Sequence, residues 1–163
     1  MKSASRSLLG LLASSAAALA ILGVSTSLHA ADGHHTVVSA DAVKWGPAPP
    51  SLPPGAQAAV LLGAPSQPGP FVLRLKLPAG FTVPPHRHTK DEFVTVIAGR
   101  FGIGSGEKLD RSAAPLPAGS FVHLPAGMAH FAWAADGEVI VQINGVGPFD
   151  VTYIDPKDDP RKH

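Results

Sequence analysis

Beyond residue 57 the chain is a succession of short apolar runs divided by turn residues. The runs span 58–62, 71–77, 93–97, 100–103, 120–124, 131–134, 138–144 and 151–154. Most are rich in Val, Ile, Leu and Phe, and several alternate apolar with polar positions, the period of a strand with one buried face. The breaks carry turn chemistry: Pro78-Ala79-Gly80, Ala98-Gly99, Pro117-Ala118-Gly119, Pro125-Ala126-Gly127 and Asp136-Gly137. All 17 prolines lie after residue 46, which argues against helices there. Many short strands with regular turns predict an all-β sandwich or closed barrel in a single domain.

The N-terminus reads differently. Lys2 and Arg6 precede an uncharged Leu/Ala-rich stretch over 8–24, and small or polar residues follow up to Ala30. This is the pattern of a cleaved secretory signal over residues 1–30, against the alternative of an uncleaved anchor. The mature protein is therefore expected in the periplasm or the medium of a bacterium, without stable membrane anchoring. Losing Lys2 and Arg6 takes 13 Lys plus Arg against 12 Asp plus Glu to a net charge of −1 with His neutral. No basic run remains, so nucleic acid is excluded as an expected partner. The absence of cysteine rules out both a disulfide framework and acylation at a cysteine, leaving stability to an ordinary apolar core. Residues 31–57 form a Pro-rich arm, 58–154 the barrel and 155–163 a tail, with 32–38 and 157–163 as mobile ends. Within the arm, the segment Trp45 to Pro54, WGPAPPSLPP, reads as an extended arm anchored by Trp45 rather than as a polyproline ligand.

The chemistry is concentrated in two stretches. His86 and His88 are two apart on an extended segment, so they share a face. Thr89-Lys90-Asp91 can reverse the chain and return Glu92 over them. His130 follows the Pro125-Ala126-Gly127 corner, and only a fold that closes on itself can bring it to the same point. Three imidazoles and one carboxylate suit a divalent Fe, Mn, Ni, Cu or Zn ion, and no thiol competes. Such a set leaves open coordination positions, and Glu92 is the member able to loosen and act as a base.

These residues resemble the cupin superfamily. Gly80, His86, His88, Glu92 and Gly99 fill its first motif, G-x5-H-x-H-x3-E-x6-G. Gly119, Pro125, Gly127 and His130 fill the second, except that Ala134 stands where the family has Asn. The resemblance implies a single-domain jelly-roll β-barrel with His86, His88, Glu92 and His130 as metal ligands. It implies a metal-dependent enzyme of dioxygenase, isomerase or lyase type acting on a small organic molecule, or else a non-catalytic metal- or ligand-binding sensor. The loss of Asn at Ala134 puts the polarity of the pocket in question.

Other residues are weaker candidates. Gln142 and Asn144 share a strand face that either lines the pocket or is solvated. His123 is expected to be exposed or structural. His34 and His35 offer loose metal binding near the new N-terminus. Phe93, Ile97, Phe131 and Trp133 fall opposite the ligand faces, so that outer surface is covered either by the arm or by a second copy in a homodimer.

Overall fold

Chain reversals at the proline–glycine corners set the architecture. The structure, a computed structural model, describes residues 35–163. The expected signal segment and His34 lie outside them. Eleven strands follow in order: β1 (Gly46–Pro47), β2 (Gln57–Leu62), β3 (Gly69–Leu77), β4 (Thr82–Arg87), β5 (Glu92–Ala98), β6 (Arg100–Ser105), β7 (Leu116–Pro117), β8 (Phe121–Leu124), β9 (His130–Ala134), β10 (Val139–Gly147) and β11 (Thr152–Tyr153). They form a six-stranded sheet, β1-β2-β3-β10-β5-β8, and a five-stranded sheet, β11-β4-β9-β6-β7, with every pairing antiparallel. This is the expected all-β jelly roll. No α-helix occurs among the described residues, and none of their helices is long and apolar enough to cross a membrane.

The expected closed barrel is instead a pair of facing sheets with no ladder joining them. The edges explain this: β1, β7 and β11 have two residues each and β8 has four, too few backbone groups to pair across. Corners replace the missing ladder. At Gly99 the chain leaves β5 in one sheet and enters β6 in the other with φ +80°, and a Cβ there would sit 2.4 Å from the Glu138 carbonyl oxygen. Only glycine fits.

Alternation then sorts the side chains. Phe71, Leu73, Leu75 and Leu77 of β3 and Val94 and Val96 of β5 are buried, with Val141 and Ile143 of β10, against Val83, Phe101 and Ala132 of the facing sheet. Each such burial stabilises the fold by roughly 1.5–3 kcal/mol, and together these residues form one core between the layers. The outward residues of β9, Phe131 and Trp133, are also buried. Their rings lie over β6, where a Cβ on Gly102 would come within 1.9 Å of Trp133 and one on Gly104 within 2.4 Å of Phe131. Arg111 reaches across Trp133 to hydrogen-bond the Thr82 hydroxyl. Neither the arm nor a second copy is needed to cover these rings. Phe93, Ile97 and Phe121, on the outer face of the other sheet, remain partly exposed.

The ends of the domain are tied down. Lys76 sits over the Trp45 ring, 4.6 Å from its centroid, and the Tyr153 hydroxyl donates to the Ser51 carbonyl at 2.7 Å. Residues 157–163, expected as a mobile end, contribute to two 3₁₀ turns, Pro156–Asp158 and Pro160–Lys162. Asp155 and Asp159 cap them, and Arg161 bonds both Asp159 and the Val151 carbonyl.

Candidate metal centre

The two motifs meet at one end of the space between the sheets. His86 on β4 pairs directly with His130, the first residue of β9. His88 lies just past the end of β4. The turn Thr89-Lys90-Asp91 carries the chain across to the opposite sheet, where Glu92 opens β5. All four side chains are buried. The candidate ligand atoms of His86, His88 and His130 lie within 4.8 Å of one another. Glu92 comes in from the other layer, its Oε2 3.2 Å from His88 Nε2 and 3.3 Å from His130 Nε2.

The backbone fixes which nitrogen each ring presents. His86 Nδ1 faces the Pro84 carbonyl at 2.7 Å, His130 Nδ1 the Met128 carbonyl at 3.0 Å, and His88 Nδ1 the Asp150 carbonyl. A carbonyl only accepts, so each Nδ1 donates, and the lone pair of each neutral ring is left on Nε2. Of these, His88 Nε2 and His130 Nε2 are fully buried and have no hydrogen-bond partner. The nearby Glu92 carboxylate is itself an acceptor and offers these lone pairs no proton. Two buried nitrogens without partners, converging on a carboxylate, fit a divalent cation held by neutral imidazoles and one oxygen donor.

The electrostatics favour that arrangement at His86 and Glu92 and oppose it at His88, whose ring must give up a proton before it can coordinate. Burial, reinforced by the neighbouring His130 and His88, pushes His86 down to about 3, so it is neutral at ordinary pH. Burial also acts to lower His88, but contact with Glu92 and the Asp150 carbonyl outweighs it and raises the ring above its usual value. For Glu92 burial acts upward, and the imidazoles of His130 and His88 overcome it, holding the carboxyl down at about 2. The carboxylate is therefore charged and ready to coordinate.

Beyond the centre lies a cavity of ≈ 80 Å³ bounded by both sheets. Its walls include Leu75, Val94, Val141 and Ile143, and also Pro49, Ser51 and Leu52 from the arm. Gln142 and Asn144 are not among them. They alternate with the lining residues and face outward, where Arg74 Nε donates to Gln142 Oε1 at 3.1 Å. Ala134 is buried in the core. His123 is half-exposed, stacked on Phe93 at 4.9 Å and paired with Asp91, away from the metal centre.

Several contributors had no marker in the chain. Asp150 supplies the carbonyl for His88, and its carboxylate accepts from Thr89 N at 2.9 Å and Thr89 Oγ1 at 2.6 Å, clamping the turn that follows His88. Phe149 stacks on the His88 ring at 4.3 Å. Asp91 Oδ1 accepts from Ala126 N at 2.8 Å, and Gly127 N donates to the His88 carbonyl at 2.8 Å, so the first motif grips the corner that delivers His130.

Solved structures share this fold. The polyketide cyclase RemF from Streptomyces resistomycificus superposes with a TM-score of 0.60 at 15% identity, covering 79% of this chain and 92% of its own. An RmlC-like cupin from Ralstonia eutropha gives 0.58 at 21% identity, covering 77% and 76%. KdgF from Halomonas sp. gives 0.52 at 19% identity, covering 71% and 94%. No curated protein matches the chain. The fold is that of the cupins, and the match of one family model over residues 36–160 makes the chain a member of DUF4437, a domain of unknown function.

Proposed function

We propose that this chain is an exported, metal-dependent cupin enzyme acting on a small organic molecule at His86, His88, Glu92 and His130, with dioxygenase or related isomerase or lyase chemistry. The observation that carries the reading is the pair of buried Nε2 atoms on His88 and His130, which lack partners while every Nδ1 is committed to a carbonyl. A bound Fe, Mn, Ni, Cu or Zn ion would supply a Lewis acid with open positions for a substrate oxygen. The three imidazoles hold fixed orientations through their backbone bonds and contribute no charge of their own. Glu92 contributes the negative charge, and its carboxylate is the one acid among the cavity-lining residues able to take a substrate proton. Aliphatic walls line the space beside that carboxylate. The likeness to a polyketide cyclase supports an enzymatic use of the fold. Export is supported by the charged start and apolar stretch of residues 1–30.

A second reading, a non-catalytic metal or small-ligand binder, draws on the same lining: beside the site itself, Ser51 is its one side chain with a hydroxyl or charge. The two separate experimentally. Elemental analysis of protein from the exported fraction is expected to give one divalent ion per chain, and oxygen uptake or substrate loss is then screened with the metallated protein. A metal-reconstituted sample without stoichiometric ion overturns the enzyme reading and the metal-binding form of the second, leaving only a small-ligand binder. Full metallation with tight ligand binding and no turnover selects the binder.

A further inference from the structure

The cavity next to the metal centre is built almost wholly from hydrocarbon. Its walls come from β3, β5 and β10 of one sheet and β4, β6 and β9 of the other, and they include Leu73, Leu75, Val94, Phe101, Val141 and Ile143. Polar side chains on the lining are confined to His86, His88, Glu92, His130 and Ser51. The groups that could have made it polar are elsewhere. Arg74, Gln142 and Asn144 bond to one another on the outer face of the six-stranded sheet, at 3.1 and 3.3 Å. Ala134, where the cupin motif has Asn, is buried in the core and adds no polar group. The polar end and the apolar end of the cavity are therefore separate.

That division selects a ligand. Oxygen atoms of a guest can be satisfied at the metal end and nowhere else along the walls except near Ser51. A hydroxyl placed against the aliphatic end loses its water without gaining a partner, weakening binding at least about fivefold per group. A methylene in the same place strengthens binding by about fourfold.

We propose that the ligand of this site is a small molecule with one oxygen-chelating end and a hydrocarbon body, and that polyhydroxylated compounds are rejected. The inference rests on the metal reading above, and the test separates the two. Zinc is first titrated into the metal-free full chain by calorimetry. Absence of a stoichiometric zinc site removes the metal reading and this inference with it. The zinc-loaded protein is then titrated with α-hydroxybutyrate and with glycerate. The two share the chelating end, charge and heavy-atom count, and differ in a terminal methyl against a hydroxyl. The expected result is at least about tenfold tighter binding of α-hydroxybutyrate. Equal affinity, tighter glycerate or no binding of either acid to zinc-loaded protein overturns the ligand class while leaving the metal site standing. Val94→Thr, nearly isosteric, places a hydroxyl on the apolar wall and should shrink the preference about threefold or more. An unchanged preference in folded V94T overturns the role given to the wall, and if V94T does not fold the wild-type comparison decides alone.

Discussion

Asp91 and Glu92 are neighbours in the chain, and each places a carboxylate oxygen 3.2 Å from a histidine Nε2. Strand alternation sends them to opposite sides of the sheet. Asp91 meets His123 on the outside, where the side chains are 47% and 44% exposed. Glu92 meets His88 inside, where they are 8% and 5% exposed, with His130 beside them. The outer pair can exchange its partner for water, so it is a surface contact of small net effect. The inner group is buried, and the Nε2 atoms of His88 and His130 lack hydrogen-bond partners. Both are carboxylate–imidazole pairs at the same 3.2 Å. Burial and the committed Nδ1 atoms make one of them a candidate metal centre.

The sharpest way to break this comparison is to neutralise each carboxylate in turn. Glu92→Gln is expected to keep the fold and some metal, because an amide oxygen still coordinates, while turnover falls about 10²–10⁴-fold because an amide takes no proton. Asp91→Asn should leave turnover within a small factor. Steady-state rates on metallated proteins measure both, and equal losses from the two variants would erase the distinction drawn by burial.

Removing the imidazoles comes next. His86→Ala or His130→Ala is expected to weaken metal binding about 10²-fold, one ligand's share of the binding free energy of such a site. His123→Ala should leave the stoichiometry at one. Elemental analysis with competitive chelation gives both values. Metal should also raise the melting temperature, by about 4 kcal/mol of added stability at a thousandfold excess over Kd, and a chelator should reverse it.

Acidity separates the pairs further. His86 stays neutral in the fold down to about pH 3, whereas the unfolded chain takes up that proton near 6.5. The unfolded state therefore binds more protons between those values, and metal-free stability falls as pH drops through that window. Glu92 acts the same way between 4.5 and about 2, since its folded carboxyl resists protonation. His88 acts oppositely: its raised value adds stability below 6.5 that is lost as pH rises through the folded value. His86→Gln should flatten the upper part of the acid limb in denaturant melts of the metal-free protein. Metal affinity should fall about tenfold per pH unit below the raised His88 value, because its proton must leave.

Much of this was legible beforehand, for identifiable reasons. Eight apolar runs correspond to strands because a strand with one buried face must alternate. The histidines came together because the intervals around Gly80, Gly99 and Gly127 leave few ways to turn between the sheets. Three things were not legible. Phe131 and Trp133 read as an outer face awaiting a cover, and the cover is the absence of side chains at Gly102 and Gly104, a relation between strands that no single run displays. The clamp from Asp150 to Thr89 and His88 spans about sixty residues and uses a backbone carbonyl, which carries no residue-type signal. The run 100–103 gave no hint that the sheets stay unlaced, because that depends on edge strands too short to have a pattern.

The smallest expected effect is the most exacting for the comparison. Asp91 is exposed, yet its Oδ1 accepts from Ala126 N at 2.8 Å, and the same corner donates from Gly127 N to the His88 carbonyl. The hydrogen bonds to Ala126 and His123 hold the Asp91 carboxyl below its usual range. Asp91→Asn keeps an oxygen for Ala126 and removes only the charge facing His123. If the surface pair matters through that charge alone, the melting temperature should move by about 2 °C or less and metal affinity by less than about threefold. Asp91→Ala also removes the acceptor, releasing the corner before His130, and should cost more in metal affinity than in overall stability. Calorimetric metal titration beside a thermal melt reads both. Equal, negligible changes from Asn and Ala would show that the corner holds His130 without Asp91, and a large loss from Asn would show that charge outside the sheet reaches the metal centre.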